Sequence, residues 1–348
     1  MTISAGLEQL HRCHVAVDLG AARTRVYLKG AGLIVDQPSA AAVNTKSGAL
    51  IAVGQLAEQM TGKTPAYIRV VRPVSNGIVV DIEVAQRMLR HLLGEKVRRA
   101  LRRKPRLRAA VLVPHQADPL ARRAATETLL GLGVRRVELV DTLIAAAVGC
   151  GLPVERAEAT MILLCGAATT QIAVLSMGAV VTAKRVQVGG ESIDQAIRQH
   201  LRQRYKLLPA SQSVRPLRLA LAGTESAGQE EEEFTEVQGR DVLTGLVRTV
   251  RVVTAGVRDA IHNPLTVVLD GIGAVLRDCP PDLVADLGEQ GMMMVGGSAL
   301  LPGLDRVLRD ATGMPVRIAE RPDVCAVLGL GALVEGKIQP MVLNPLAS

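Results

Sequence analysis

Two short stretches of this chain carry residue types suited to holding a polyphosphate. In the first, Asp18 closes an apolar run and is followed by Leu19, then Gly20-Ala21-Ala22-Arg23-Thr24. In the second, Leu164-Cys165 leads into Gly166-Ala167-Ala168-Thr169-Thr170-Gln171. A glycine at such a turn lets backbone amides approach phosphate oxygens, and a strand-end carboxylate holds Mg²⁺ through its water shell. Asp18 is therefore the candidate metal residue, and Gly20, Ala21, Ala22, Arg23, Gly166, Ala167, Ala168 and Thr169 are the candidate phosphate contacts. Leu164 stands where the first stretch has Asp18, and a hydrocarbon ligates nothing. Arg23 has two readings, pairing with phosphate or filling the cleft. A third stretch, Gly296-Gly297-Ser298, follows an apolar run and opens a helix, which brings backbone close to a nucleotide at a helix start.

The elements that must position these residues repeat. Residues 15–28 and 161–174 match apolar strand for apolar strand around the shared Gly-Ala-Ala-x-Thr turn, so each reads as a β-hairpin, one per half. A pair of hairpins facing across a cleft grips the phosphates of ATP in one large class of proteins. Around the first hairpin the pattern predicts a small strand-rich region over 35–71, a helix over 82–97, a strand over 109–113 ended by Pro114, and a helix over 121–132. A buried strand over 137–140 and a helix over 143–149 follow. The second half repeats the plan, with a helix over 192–205 that places Asp194 in its first turn. Pro209, Pro216 and residues 223–233 read as a surface loop, and helices over 255–277, 281–289 and 329–335 complete a mixed α/β protein.

At 348 residues with 48% hydrophobic content, two domains are expected. Trp is absent and Phe occurs once, so Ala, Val and Leu fill the interior. The net charge of +8 favours anionic partners. Arg98, Arg99, Arg102, Arg103, Lys104, Arg106 and Arg108 crowd one segment, whereas residues 230–233 are all Glu. Both runs have a plain reading as solvated surface. Five scattered cysteines suggest neither zinc site nor disulfide framework, and no window reads as a signal peptide or membrane span, which predicts a cytoplasmic protein. Ile3, Leu7 and Leu10 lie at helical spacing, as a short membrane-surface helix or a frayed tail.

The hairpins, the Gly296-Gly297-Ser298 turn with Pro302-Gly303-Leu304-Asp305, and the run Ala145-Ala146-Ala147-Val148-Gly149-Cys150-Gly151-Leu152-Pro153 together resemble the MreB/Mbl family of bacterial actin-like, rod-shape-determining proteins. Arg72-Pro73-x-x-x-Gly77, Val188-Gly189-Gly190-Glu191-x-x-Asp194, Gly239-Arg240-Asp241-x-x-Thr244-Gly245-Leu246 and Pro280-Pro281-Asp282-Leu283 extend the match along nearly the whole chain. The resemblance implies an α/β actin-like fold of two RNase H-like lobes, each with a small inserted subdomain, and ATP held between them beside Mg²⁺. Lobe I is expected over 11–150 plus 318–348 with its insert at about 35–71, lobe II over 151–317 with its insert at about 187–249, and a tail over 1–10.

Family members form filaments on the inner membrane face and organise wall synthesis. The resemblance thus implies a self-associating cytoskeletal protein, cytoplasmic and peripheral on the inner membrane. Its partners are then the membrane surface and cell-shape and wall-synthesis membrane proteins, with no nucleic acid. Arg102, Arg103 and Lys104 fall near a family loop that dips into lipid and would act there by attraction.

Departures from the family pattern concentrate in the nucleotide site. Ala21 and Arg23 replace Thr and Asn, and Ala167 and Ala168 replace two glycines, which would cost roughly 1 kcal/mol each if positive φ were needed there. The family's Glu-Glu pair aligns with Asp141 and Thr142, the degenerate catalytic positions. Thr142 is a poor base, and Asp141 substitutes only if the backbone shifts. Residues 210–218 replace two ribose-side acids and insert Pro216. ATP binding with weak or lost hydrolysis is the expectation; an active ATPase of the same superfamily and a non-polymerising scaffold for a membrane partner are the alternatives.

Overall fold

In the computed structural model, residues 6–102, 106–154, 156, 158–210, 214, 217–218 and 234–338 are described. Strands β1 (Val15–Leu19), β2 (Arg23–Leu28) and β3 (Gly32–Pro38) form a meander. A small sheet of β4 (Ala41–Asn44), β5 (Leu50–Val53) and β6 (Ile68–Val71) follows, then the short pair β7 (Val74–Ser75) and β8 (Ile78–Val79). Strands β9 (Arg108–Val113) and β10 (Arg136–Asp141) join the meander as parallel neighbours, in the order β10-β9-β1-β2-β3.

The second half repeats this sheet. Strands β11 (Thr160–Cys165), β12 (Thr170–Ser176) and β13 (Ala179–Val186) form its meander. Three more strands, β14 (Leu207–Pro209), β15 (Phe234–Asp241) and β16 (Val247–Val253), make a separate small sheet. β17 (Met292–Val295) and β18 (Val316–Ile318) then complete the order β13-β12-β11-β17-β18. Both hairpins read from the sequence are present in register, Leu19 opposite Thr24 and Cys165 opposite Thr170.

The helices are α1 (Leu7–His11), α2 (Gln55–Gln59), α3 (Ile82–Arg102), α4 (Pro119–Leu130), α5 (Thr142–Gly149), α6 (Gly190–Tyr205), α7 (Thr254–Asp278), α8 (Pro281–Gln290), α9 (Leu304–Thr312) and α10 (Cys325–Glu335). Local chemistry sets several starts. Asp118 caps α4 by accepting from Ala121 N at 2.7 Å with Pro119 at the first helical position, and Asp141 caps α5 by accepting from Leu143 N at 2.8 Å. Gly94, at φ 65°, breaks α3 in its middle.

Helices α5 and α10 lie between the two large sheets, and this placement joins the halves. One core cluster holds Ala16 and Ala110 of the first sheet, Ile162 and Ala173 of the second, and Ala145, Ala146, Leu330 and Leu333 of the two helices. Apolar residues all round α5 fit burial on every side. The helices cross at Gly149 and Gly329, where a Cβ on Gly329 would sit 1.8 Å from Ala145 O.

Several expectations are corrected. The segment over 1–10 is not a tail at Leu7 and Leu10, which are buried in helix α1 within this same core, so neither fraying nor a membrane helix describes them; Ile3 lies outside the described residues. Helix α6 begins at Gly190, which puts Glu191, not Asp194, in its first turn. Val214, Leu217 and Arg218 are helical, with Val214 and Leu217 buried, where a surface loop was expected. Arg102 ends α3, while Arg103, Lys104 and residues 219–233, including the acidic run, lie outside the described residues.

Candidate functional site

The two hairpin turns are built alike and face each other. Gly20 N donates to Arg23 O at 3.1 Å, and Gly166 N to Thr169 O at 2.9 Å. Each glycine carbonyl is held by a serine hydroxyl from elsewhere in its lobe, Ser39 Oγ to Gly20 O at 2.6 Å and Ser298 Oγ to Gly166 O at 2.7 Å. Ser298 thus braces the second loop, and Ser39, unremarked in the sequence, is its counterpart. Among the described residues, the N–H groups of Ala21, Ala22, Ala167 and Ala168 have no protein acceptor, so they can donate to phosphate oxygens. The alanines also cost no backbone strain. Positive φ outside glycine is confined, among the described residues, to Asn76, Arg106, Gln116, Met177 and Lys206, which corrects the expectation of a penalty at 167 and 168.

Charge at the first loop is arranged around two arginines. Arg23 Nε donates to Asp36 Oδ1 at 2.6 Å and its NH2 group to Asp36 O at 2.9 Å, so its guanidinium is tied to β3. Arg25 is 9% exposed and lies 3.8 Å from Asp18, 3.1 Å from Asp36 and 3.4 Å from Asp323. Burial pushes the Asp18 carboxyl up from 3.8 to about 6; Arg25 pulls it down and Asp36 adds to the rise, so desolvation wins over the ion pair. The sequence did carry a signal for Arg25, because the hairpin register sets it directly across from Asp18.

The catalytic positions are spent on structure. Asp141 accepts from Leu143 N with one oxygen and lies 2.5 Å from His115 Nδ1 with the other, while Thr142 Oγ1 donates to Val113 O at 2.8 Å. Thr142 lines the cleft and Asp141 does not, so no backbone shift brings Asp141 into the expected substitute role. Gln171 accepts from His115 N at 2.9 Å and so links the two lobes. A second link joins the Arg185 guanidinium to Asn76 O.

On the far side of the cleft, Gly296 takes φ +90° and a Cβ there would meet Cys165 O at 2.3 Å, so only glycine fits this approach of two strands. The start of α6 docks on the second loop, with Gly190 N donating to Gly166 O at 3.1 Å and Glu191 N to Ala167 O at 2.8 Å. Arg218 lies 3.3 Å from Asp194, whose carboxyl burial raises against the pull of Arg218 and Arg198. These surfaces enclose a cleft of about 460 Å³, within the range of small-molecule sites. All twelve residues named for nucleotide contact line it: Asp18, Gly20, Ala21, Ala22, Arg23, Gly166, Ala167, Ala168, Thr169, Gly296, Gly297 and Ser298. Arg25, Glu191, Arg218 and Asp323 line it as well.

Two like sheets sharing a helix pair, with paired hairpin turns across a cleft, are also what comparison with known proteins finds. Residues 12–340 match the family model described as MreB/Mbl protein. The chain belongs to the MreB/Mbl family. It is 36% identical over 325 residues to the cell shape-determining protein MreB of Escherichia coli K12, covering 92% of this chain and 93% of the relative. The cell shape-determining protein Mbl of Bacillus subtilis strain 168 is 32% identical over 321 residues, with 92% and 95% covered. Among solved structures, MreB5 of Spiroplasma citri bound to AMPPNP superimposes with a TM-score of 0.84 at 27% identity, over 95% of this chain and 98% of that one. The MamK double helical filament, at a TM-score of 0.72 and 20% identity over 94% and 99%, shares the actin-like fold.

For an MreB/Mbl protein the magnesium side of this cleft is poorly furnished. Leu164 offers no oxygen, Gln171 is neutral, and Asp18 already faces a guanidinium. The residues present do not fit a protein-anchored Mg²⁺.

Proposed function

We propose that this chain is a self-assembling, cell shape-determining actin-like protein of two lobes, divided near residues 150 and 317, whose cleft binds an adenine nucleotide and hydrolyses it slowly or not at all. The observation that carries this is the convergence of all twelve candidate contacts on one cleft between hairpins, in a chain that aligns over 92% of its length with a cell shape-determining MreB. MreB5 of Spiroplasma citri, bound to AMPPNP and to ADP, shares this fold at a TM-score of 0.84. Weak hydrolysis follows from Thr142 standing where the family pattern has a Glu; loss of a positioned base costs on the order of 10²- to 10⁴-fold in rate.

The protein works, in this reading, at the inner face of the membrane alongside cell-shape and wall-synthesis membrane proteins. Arg102, Arg103 and Lys104 supply attraction to anionic lipid, at about 1 kcal/mol per cation. No helix among the described residues is long and apolar enough to cross a membrane.

Sedimentation and electron microscopy of the purified chain, with and without ATP, test assembly, and phosphate release in the same samples tests hydrolysis. Filaments with phosphate release at least about 10²-fold below an active family member support the proposal. Brisk release points to a working ATPase, and nucleotide binding without filaments to a non-polymerising scaffold.

A further inference from the structure

The cations of this cleft are built into the protein. Arg25 stands among Asp18, Asp36 and Asp323, Arg23 is fixed to Asp36, Arg218 faces Asp194, and Arg72 lies 3.0 Å from Glu58. Each of these four arginines is thus committed to a carboxylate in or beside the cleft. In a polyphosphate site a hydrated Mg²⁺ bridges phosphate oxygens to protein carboxylates, usually through its own waters. One such carboxylate is replaced here by Leu164, and the other is the one that Arg25 faces.

Arg25 is also held where it is. It sits on β2, registered across from Asp18, and is 9% exposed, with two further carboxylates within 3.4 Å. A dication approaching Asp18 would compete there with a guanidinium that is already in place. The three aspartates converge on the Arg25 guanidinium.

We infer that this cleft takes its nucleotide as the metal-free polyphosphate, with Arg25 occupying at Asp18 the electrostatic place of the hydrated dication. The inference rests on the nucleotide reading above and adds the form of the ligand. Arg25 acts here as a positioning charge. The phosphates themselves are met by the loop amides around Ala21, Ala22, Ala167 and Ala168.

Isothermal titration of the full chain with ATP and with ADP, in excess magnesium and in EDTA, tests it. The two conditions are expected to give dissociation constants within about threefold of each other. In Arg25→Leu, Asp18 is freed, and affinity should become magnesium-dependent by about tenfold or more. That variant leaves buried carboxylates without their cation, so its folding is checked by thermal melting. The wild-type comparison needs no variant, and Asp323→Asn, which keeps Arg25, should remain magnesium-independent. A tenfold loss of wild-type affinity in EDTA overturns this inference and leaves the nucleotide reading standing. Absence of binding in both conditions overturns that reading, and this one with it. An Arg25→Leu protein that folds and binds equally with and without magnesium overturns the role of Arg25.

Discussion

At the level of single residues, the proposed function rests binding and chemistry on different groups. In the proposed reading backbone groups meet the phosphates, so replacing Thr by Ala21 and Gly by Ala167 or Ala168 removes side-chain options while the amides stay in place. Hydrolysis needs a positioned carboxylate, and Thr142 instead donates its hydroxyl to Val113 O. Thr142→Glu returns a carboxylate to a position that lines the cleft. It is expected to raise phosphate release by about tenfold or more, measured by a phosphate-coupled assay at saturating ATP. No gain in a folded variant would show that the missing base is not what limits the rate.

At the level of elements, two features are exposed to direct measurement. Helix α1 was expected as a tail, yet Leu10 is fully buried against the α5–α10 core. Leu10→Ala should cost about 2–5 kcal/mol, read as a lower denaturant midpoint, whereas a frayed segment would show almost none. The turn between β15 and β16 depends on Asp241. Its carboxyl is held down from 3.8 to about 2 by the Thr244 amide first, then by the Arg248 guanidinium and the Leu243 amide. A lowered folded-state value means that ionised Asp241 stabilises the fold above about pH 4, and that this contribution fades as pH falls from 3.8 through about 2. Asp241→Asn should therefore melt earlier than wild type at neutral pH, and the gap should close towards pH 2.

At the level of the whole molecule, the lobes meet through the shared helix pair at the base of the cleft, and polar side chains join them across it. His115 N donates to Gln171 Oε1, and the Arg185 guanidinium reaches Asn76 O. Among the described residues such links are polar and partly exposed, so lobe closure is open to bias by ligand, because a modest difference in interaction energy shifts such an equilibrium. Arg185→Ala removes one link without touching the phosphate loops. Small-angle scattering of the nucleotide-free variant is expected to give a larger radius of gyration than wild type, with the difference shrinking on adding ATP. An unchanged radius would place control of closure in α5 and α10 alone.

The sequence by itself determined the hairpins, the strand and helix alternation and the loops that bear the candidate contacts. These follow from local rules: apolar runs of strand length, glycine at turns, proline at strand ends, and an internal repeat that shows the hairpin twice. It also showed, through Leu164 and Thr142, that acidic groups are missing. What only the tertiary structure decided is where each charge goes. Arg23 had two readings until Asp36 of β3 proved to hold it, and Asp141 looked free until its oxygens were found on Leu143 N and His115. Arg25 meets Asp323, nearly 300 residues away in the chain, and Ser298 meets Gly166 across a strand crossover. Ion pairs and hydrogen bonds form between groups that folding brings within a few ångströms, and no spacing along the chain encodes that proximity.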